Sequence, residues 1–163
     1  MLRLGLRLAV RRSAMRAASS SSLINGGIIE HEDHGSAHAD QGAVLLMRGS
    51  NATKSQWVGP HRNVVDELVA AGFRPITFDA RNMGRSQRFG DKGDVGRISN
   101  VGNMFTVEEM ADDAMGVLDA YGVERAHVVG CSLGGLVAQV NTCLLILPAH
   151  TGHNSVSLLT SLL

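Results

Sequence analysis

Gly130-Cys131-Ser132-Leu133-Gly134 follows directly on the apolar run Ala126-His127-Val128-Val129. A strand, then Gly-x-Ser-x-Gly, then a helix-forming stretch is the pattern of a nucleophile elbow. Such a turn is so sharp that the residues two before and two after its apex must lack side chains. Gly130 and Gly134 meet that demand, which puts Ser132 at the apex with its hydroxyl above the sheet. Cys131 is the competing nucleophile, but the positions two away from it are Val129 and Leu133. A second feature bears on the first. Only 31 residues follow Ser132, and none of them is Asp or Glu.

A chain of 163 residues has room for one domain. Its formal net charge of +0 hides an asymmetry. The first 29 residues hold Arg3, Arg7, Arg11, Arg12 and Arg16 and no acid, while the remainder carries 10 basic against 15 acidic residues, a net charge of −5. An acidic body gives no reason to expect nucleic-acid binding. Residues 1–22 are Arg-rich, Ser-rich and acid-free, the composition of a mitochondrial transit peptide. Arg3, Arg7 and Arg11 would form one stripe of a helix. This leader points to the mitochondrial matrix, with the cytoplasm as the alternative. Arg7 interrupts what would be the apolar core of a secretory signal, and no apolar stretch is long enough to span a bilayer.

The body reads as alternating strands and helices. A hairpin is expected over residues 23–34, with Gly26-Gly27 at its turn. Ala43-Val44-Leu45-Leu46-Met47 is a continuous apolar run, as in a strand buried on both faces. Residues 62–71 place Val64, Val65, Leu68 and Val69 on one helical face, with Gly72 as the cap. Residues 73–79 form another strand, and the polar, Gly-rich stretch 80–104 a long loop that shapes a site. Thr106 and Glu109 have capping-box spacing for a helix whose apolar side is Met110, Ala114, Val117, Leu118 and Tyr121. The elbow strand and its helix follow, and residues 156–163 form one more strand. This alternation implies an α/β fold, a mostly parallel sheet with helices on both faces. A helix starting at Ser132 would hold Cys131 and Cys143 about 18 Å apart, too far for a disulfide.

The chain resembles the α/β-hydrolase superfamily from about Ile24 to Gln139. Besides the elbow, the likeness rests on three landmarks in the family's order. They are Val44-Leu45-Leu46-Met47-Arg48-Gly49-Ser50 running to Trp57, Asp79-Ala80-Arg81-Asn82-Met83-Gly84-Arg85-Ser86, and the capped helix around Met110-Ala111-Asp112-Asp113. Within the superfamily it is most similar to the esterases that include anthracycline methylesterases. The resemblance implies an α/β-hydrolase fold, here a C-terminally truncated domain over residues 23–163. It also implies hydrolysis of a small-molecule carboxylic ester through a Ser132 acyl-enzyme, without cofactor or metal. Asp79 and Arg81 then organise a loop. The sequence departs from the family at Arg48, where relatives have a glycine or histidine, and again after Gln139.

Ester cleavage needs a nucleophile, donors for the tetrahedral oxyanion, and a base held by a third group. Ser132 is the nucleophile and the backbone N–H of Leu133 one oxyanion donor. The second donor comes from Gly49 or Ser50, an ambiguity of one residue. An Asp nucleophile, as in dehalogenase-like relatives, is excluded by the serine at the apex. The acid and base are not supplied by this stretch: His150 and His153 sit in a loop too close to the elbow to return over the sheet. A catalytically inactive, ligand- or partner-binding module is therefore the alternative function. Glu30-His31-Glu32-Asp33-His34 with His38 has the look of a metal cluster, but His31 and His34 face opposite sides of a strand. His127 is read as structural.

Overall fold

In a computed structural model of the chain, the described residues are 19–35, 39–59, 63–87, 105–146 and 155–158. Their strands are β1 (Ser19–Ile24), β2 (Gly27–Asp33), β3 (Ala43–Met47), β4 (Arg74–Phe78), β5 (Arg125–Gly130) and β6 (Ser155–Leu158). The helices are α1 (Val64–Ala70), α2 (Val107–Ala120) and α3 (Leu133–Ile146), with a short 3-10 turn at Lys54–Trp57. The six strands form one sheet in the order β1-β2-β4-β3-β5-β6. β1, β2 and β4 pair antiparallel, whereas β4, β3, β5 and β6 run parallel.

Strand parity decides which helix covers which face. Ala43, Leu45 and Met47 of β3, with Ala126 and Val128 of β5, pack against Ala111, Ala114, Val117 and Leu118 of α2 and Val137 and Ala138 of α3. The alternate residues Val44, Leu46 and Val129 pack with Trp57 and with Val64, Val65, Leu68 and Val69 of α1. All five residues of β3 are buried, as a strand covered on both faces requires. The C-terminal ends of β3 and β5 thus emerge side by side between two helical layers.

The helix boundaries have local causes. The Asn63 side chain accepts from the Asp66 N–H at 3.0 Å and caps α1. Thr106 and Glu109 form the expected reciprocal capping box on α2. Three details differ from the sequence expectation. The hairpin turn is Asn25-Gly26 rather than Gly26-Gly27, with φ of 47° and 80°. Asn-Gly suits the two left-handed positions of a tight hairpin, so Gly27 joins β2 opposite Ile24. β1 also begins at Ser19, inside the stretch read as leader, because the serines pair with β2 along their whole length. Finally, α3 continues past Gln139 to Ile146. β6 ends at Leu158, and the rest of the strand expected to Leu163 lies outside the described residues, as do most of the loop over 80–104, His38, His150, His153 and the Cys143 side chain.

Candidate active site

Ser132 is exposed at the apex between β5 and α3, with φ of 56°. A non-glycine residue there is held against an intrinsic preference of about 1–2 kcal/mol, so surrounding contacts must impose it. Three backbone bonds do so. The Cys131 N–H donates to the Met47 carbonyl at 3.0 Å, the Gly134 N–H to the Cys131 carbonyl at 3.0 Å, and the Gly135 N–H to the Ser132 carbonyl at 2.8 Å. The first ties the elbow to the end of β3, and the other two start the helix.

The two elbow glycines are required by contact distances. A Cβ on Gly130 would lie 2.1 Å from the Gly134 carbonyl oxygen. One on Gly134 would lie 2.6 Å from the Met47 carbonyl oxygen and 2.8 Å from that of Arg48. Gly49 has an equally specific reason to lack a side chain, since its Cβ would lie 2.8 Å from the Ser132 Cβ. The loop after β3 is thus laid directly against the serine, with Gly49 in contact and Ser50 next to it, exposed. Leu133 is the first residue of α3, directly after the apex serine. Cys131, half-buried among the residues facing α1, is off the apex.

Arg48 leaves the serine alone. Its side chain turns to the α1 face, where the guanidinium lies 5.0 Å over the Trp57 ring and donates to Gln56 Oε1 at 2.6 Å. Beside Gly134, Met47, Phe78, Met110 and Val137 line a small cavity together with the polar residues Arg48 and Asp113.

Asp79 and Arg81 organise loops, in keeping with their place in the motif. The buried Asp79 carboxylate accepts from the backbone N–H groups of Lys54 and Arg85. Arg81 makes a two-pronged ion pair with Asp113 of α2, both bonds 2.6 Å, with exposures of only 6% and 1%. The hydrogen bond to Asp113 raises the Arg81 pKa above its ordinary value. Asp113 was missed as a functional partner by the sequence reading. Its signal was present: Asp113 falls four residues before Val117 on the buried side of α2, where a carboxylate demands a cation.

His31 of β2 and His34 just after it serve packing. His31 is buried between Tyr121 Oη, 2.7 Å from Nδ1, and Ser22 Oγ, 2.8 Å from Nε2. His34 Nε2 lies 2.8 Å from Thr77 Oγ1. Burial lowers the pKa of both imidazoles. Among the described residues no group of three His, Cys, Asp or Glu side chains could hold a metal ion. His127 packs edge-on to Phe73, with ring centroids 5.9 Å apart.

A mixed sheet whose parallel strands deliver a serine on a strained strand-to-helix turn, with a glycine loop laid against it, has the geometry of a nucleophile elbow. The chain belongs to the α/β hydrolase fold family, whose model matches residues 42–142. It is 33% identical over 132 residues to a 2-hydroxy-6-oxononadienedioate/2-hydroxy-6-oxononatrienedioate hydrolase of Pseudomonas, covering 78% of this chain and 41% of that protein. A rhodomycin D methylesterase of Streptomyces is 36% identical over 97 residues, 60% of this chain and 28% of the relative. Epoxide hydrolase B of Mycobacterium tuberculosis is 33% identical over 95 residues, 58% of this chain and 23% of the relative. Among solved structures, a putative hydrolase from Agrobacterium vitis superposes with a TM-score of 0.65 at 21% identity, covering 88% of this chain and 51% of that one. The chain therefore spans about two-fifths or less of the length of these curated relatives.

Proposed function

We propose that the chain carries the nucleophile half of a serine hydrolase acting on small carboxylic esters. Ser132 Oγ attacks the ester carbonyl carbon and its proton passes to a base. The tetrahedral oxyanion accepts from the Leu133 N–H and from the N–H of Gly49 or Ser50. The carbon–oxygen bond to the alcohol then breaks, the alcohol leaves with the proton, and water cleaves the acyl-Ser132 bond to release the acid. The observation that carries this reading is the left-handed Ser132 with Gly49 pressed against its Cβ. Such strain is held where a side chain must be presented.

The relatives' names cover a methylesterase and an epoxide hydrolase, and the apex residue chooses between those chemistries. A serine that opened an epoxide would be left as an ether, which water does not cleave. A serine acylated by an ester regenerates readily. We place the base and its acid partner beyond the described residues.

Turnover of p-nitrophenyl acetate by wild type and Ser132→Ala, each in the protein together with the segment that supplies the base and its acid partner, tests the reading. Ser132→Ala is expected to lose roughly a thousandfold or more in kcat, while Cys131→Ala keeps it. Equal release by wild type and Ser132→Ala, or none above buffer, favours the ligand-binding module instead. We propose in addition that the Arg-rich N-terminus directs mitochondrial import and is cut before Ser19, leaving β1 intact. N-terminal sequencing of the imported protein checks the position, and an uncut N-terminus overturns it. No helix among the described residues is long and apolar enough to cross a membrane.

A further inference from the structure

Asp79 sits at the end of β4 with its carboxylate buried between two loops. Oδ1 accepts from the Lys54 N–H at 2.7 Å and Oδ2 from the Arg85 N–H at 2.9 Å. The Asp79 backbone is fixed as well. Its N–H donates to the Glu30 carbonyl at 2.9 Å, and its carbonyl accepts from the Ser86 hydroxyl at 2.5 Å. Gly84, at φ of 49°, closes over the carboxylate so tightly that a Cβ would lie 2.1 Å from Oδ2. Two N–H groups converging on one buried side chain require two acceptor oxygens. Asparagine would turn an amide NH2 toward one of them.

Lys54 is where this carboxylate reaches the candidate site. It is the first residue of the 3-10 turn, and only Ser50, Asn51, Ala52 and Thr53 separate it from Gly49. That segment is a compact turn: Asn51 is left-handed at φ of 57°, and the Ala52 N–H donates to the Gly49 carbonyl at 3.3 Å. One end of the turn rests on Ser132 and the other hangs from Asp79.

We propose that Asp79 is a positioning residue for the ester hydrolysis: through the Lys54 N–H it fixes the loop that aims the Gly49 and Ser50 amides at the oxyanion. This rests on the Ser132 reading. The oxyanion exists only in the transition state, so the effect belongs in kcat rather than in KM.

The full chain with Lys54→Pro, compared with Lys54→Ala, isolates the bond. Both variants lose the Nζ contact to Glu32 at 2.7 Å, but only proline also removes the N–H. Proline suits the first residue of a helical turn, and Thr53, extended at ψ of 160°, suits the residue before it. With p-nitrophenyl acetate, Lys54→Pro is expected to show kcat about tenfold or more below Lys54→Ala, with KM within about twofold. Asp79→Asn is expected to show the same split against wild type. Equal kcat in Lys54→Pro and Lys54→Ala overturns the proposal. A second arm does not depend on turnover. The amide resonances of Gly49 and Ser50 are expected to move in Lys54→Pro and Asp79→Asn but not in Lys54→Ala. If wild type shows no Ser132-dependent turnover, the ester reading falls. Resonances that stay in place then overturn the positioning role on their own.

Discussion

His31 and Ser132 illustrate opposite uses of a polar side chain. Ser132 is exposed and backbone-strained, with glycine neighbours that keep its surroundings open. His31 is 2% exposed, bonded at both ring nitrogens, with its ring edge-on to Tyr121 at 4.9 Å between centroids. Burial depresses the His31 pKa below 6.5; the Glu30 carboxylate opposes that shift and Lys54 adds to it. The sign follows from proton counting. Below about pH 6.5 the unfolded chain binds a proton that the folded chain refuses, so stability falls as pH drops toward the folded value. His34, depressed chiefly by its own burial, acts in the same direction. Urea midpoints at pH 7.5, 6.5 and 5.5 should decline across this window, which lies above the ordinary carboxylate range. His31→Gln, which keeps hydrogen-bonding capacity without titrating, should show a shallower decline. An undiminished decline in that variant would remove His31 from the account.

At the scale of elements, the Arg81–Asp113 pair ties the loop after β4 to the inner face of α2. Asn25 Nδ2 adds the β1–β2 turn, donating to Asp113 Oδ1 at 3.2 Å. Three segments distant in sequence thus meet at one carboxylate beside the cavity near Gly134. Breaking such a buried pair from one side costs about 3–5 kcal/mol, because the remaining charge keeps its burial and loses its bonds. Asp113→Ala should therefore lower the unfolding free energy by about that amount in urea. The double variant Arg81→Met, Asp113→Leu should recover much of it, since apolar replacement removes both desolvation penalties. A loss below about 1 kcal/mol in Asp113→Ala would show the pair to be dispensable. Much of this layer was legible beforehand. The capping box at Thr106 and Glu109 and the buried run of β3 are local patterns, and local patterns survive folding. The Asn25-Gly26 turn was equally local but was masked by the adjoining Gly27. The partnership of Arg81 with Asp113 was not legible from spacing, because 32 residues separate them and only the fold closes that gap.

For the whole molecule, strand order matters more than strand identity. The alternation of strands and helices implied a largely parallel sheet, and the observed order puts β3 between β4 and β5, near the middle. Short-range pattern could not yield that order, since it depends on which helix crosses which face. It could mark the elbow, because Gly130, Ser132 and Gly134 obey a steric rule confined to five residues. The central position has a dynamic consequence. β3 is hydrogen-bonded on both sides and buried on both faces, whereas β1 pairs only with β2 among the described strands and exposes most of its residues. Amides that exchange only through global opening should therefore concentrate in β3, β4 and β5, and those of β1 should exchange through local fraying. The Cys131 N–H extends the β3–β5 ladder by donating to Met47, so the serine's turn is anchored on the most persistent part of the sheet. Hydrogen exchange followed by mass spectrometry should find peptides over residues 43–47 and 125–131 slowest and those over 19–24 fastest. Equal protection of β1 and β3 would contradict that hierarchy, and with it the anchoring of Ser132 on the centre of the sheet.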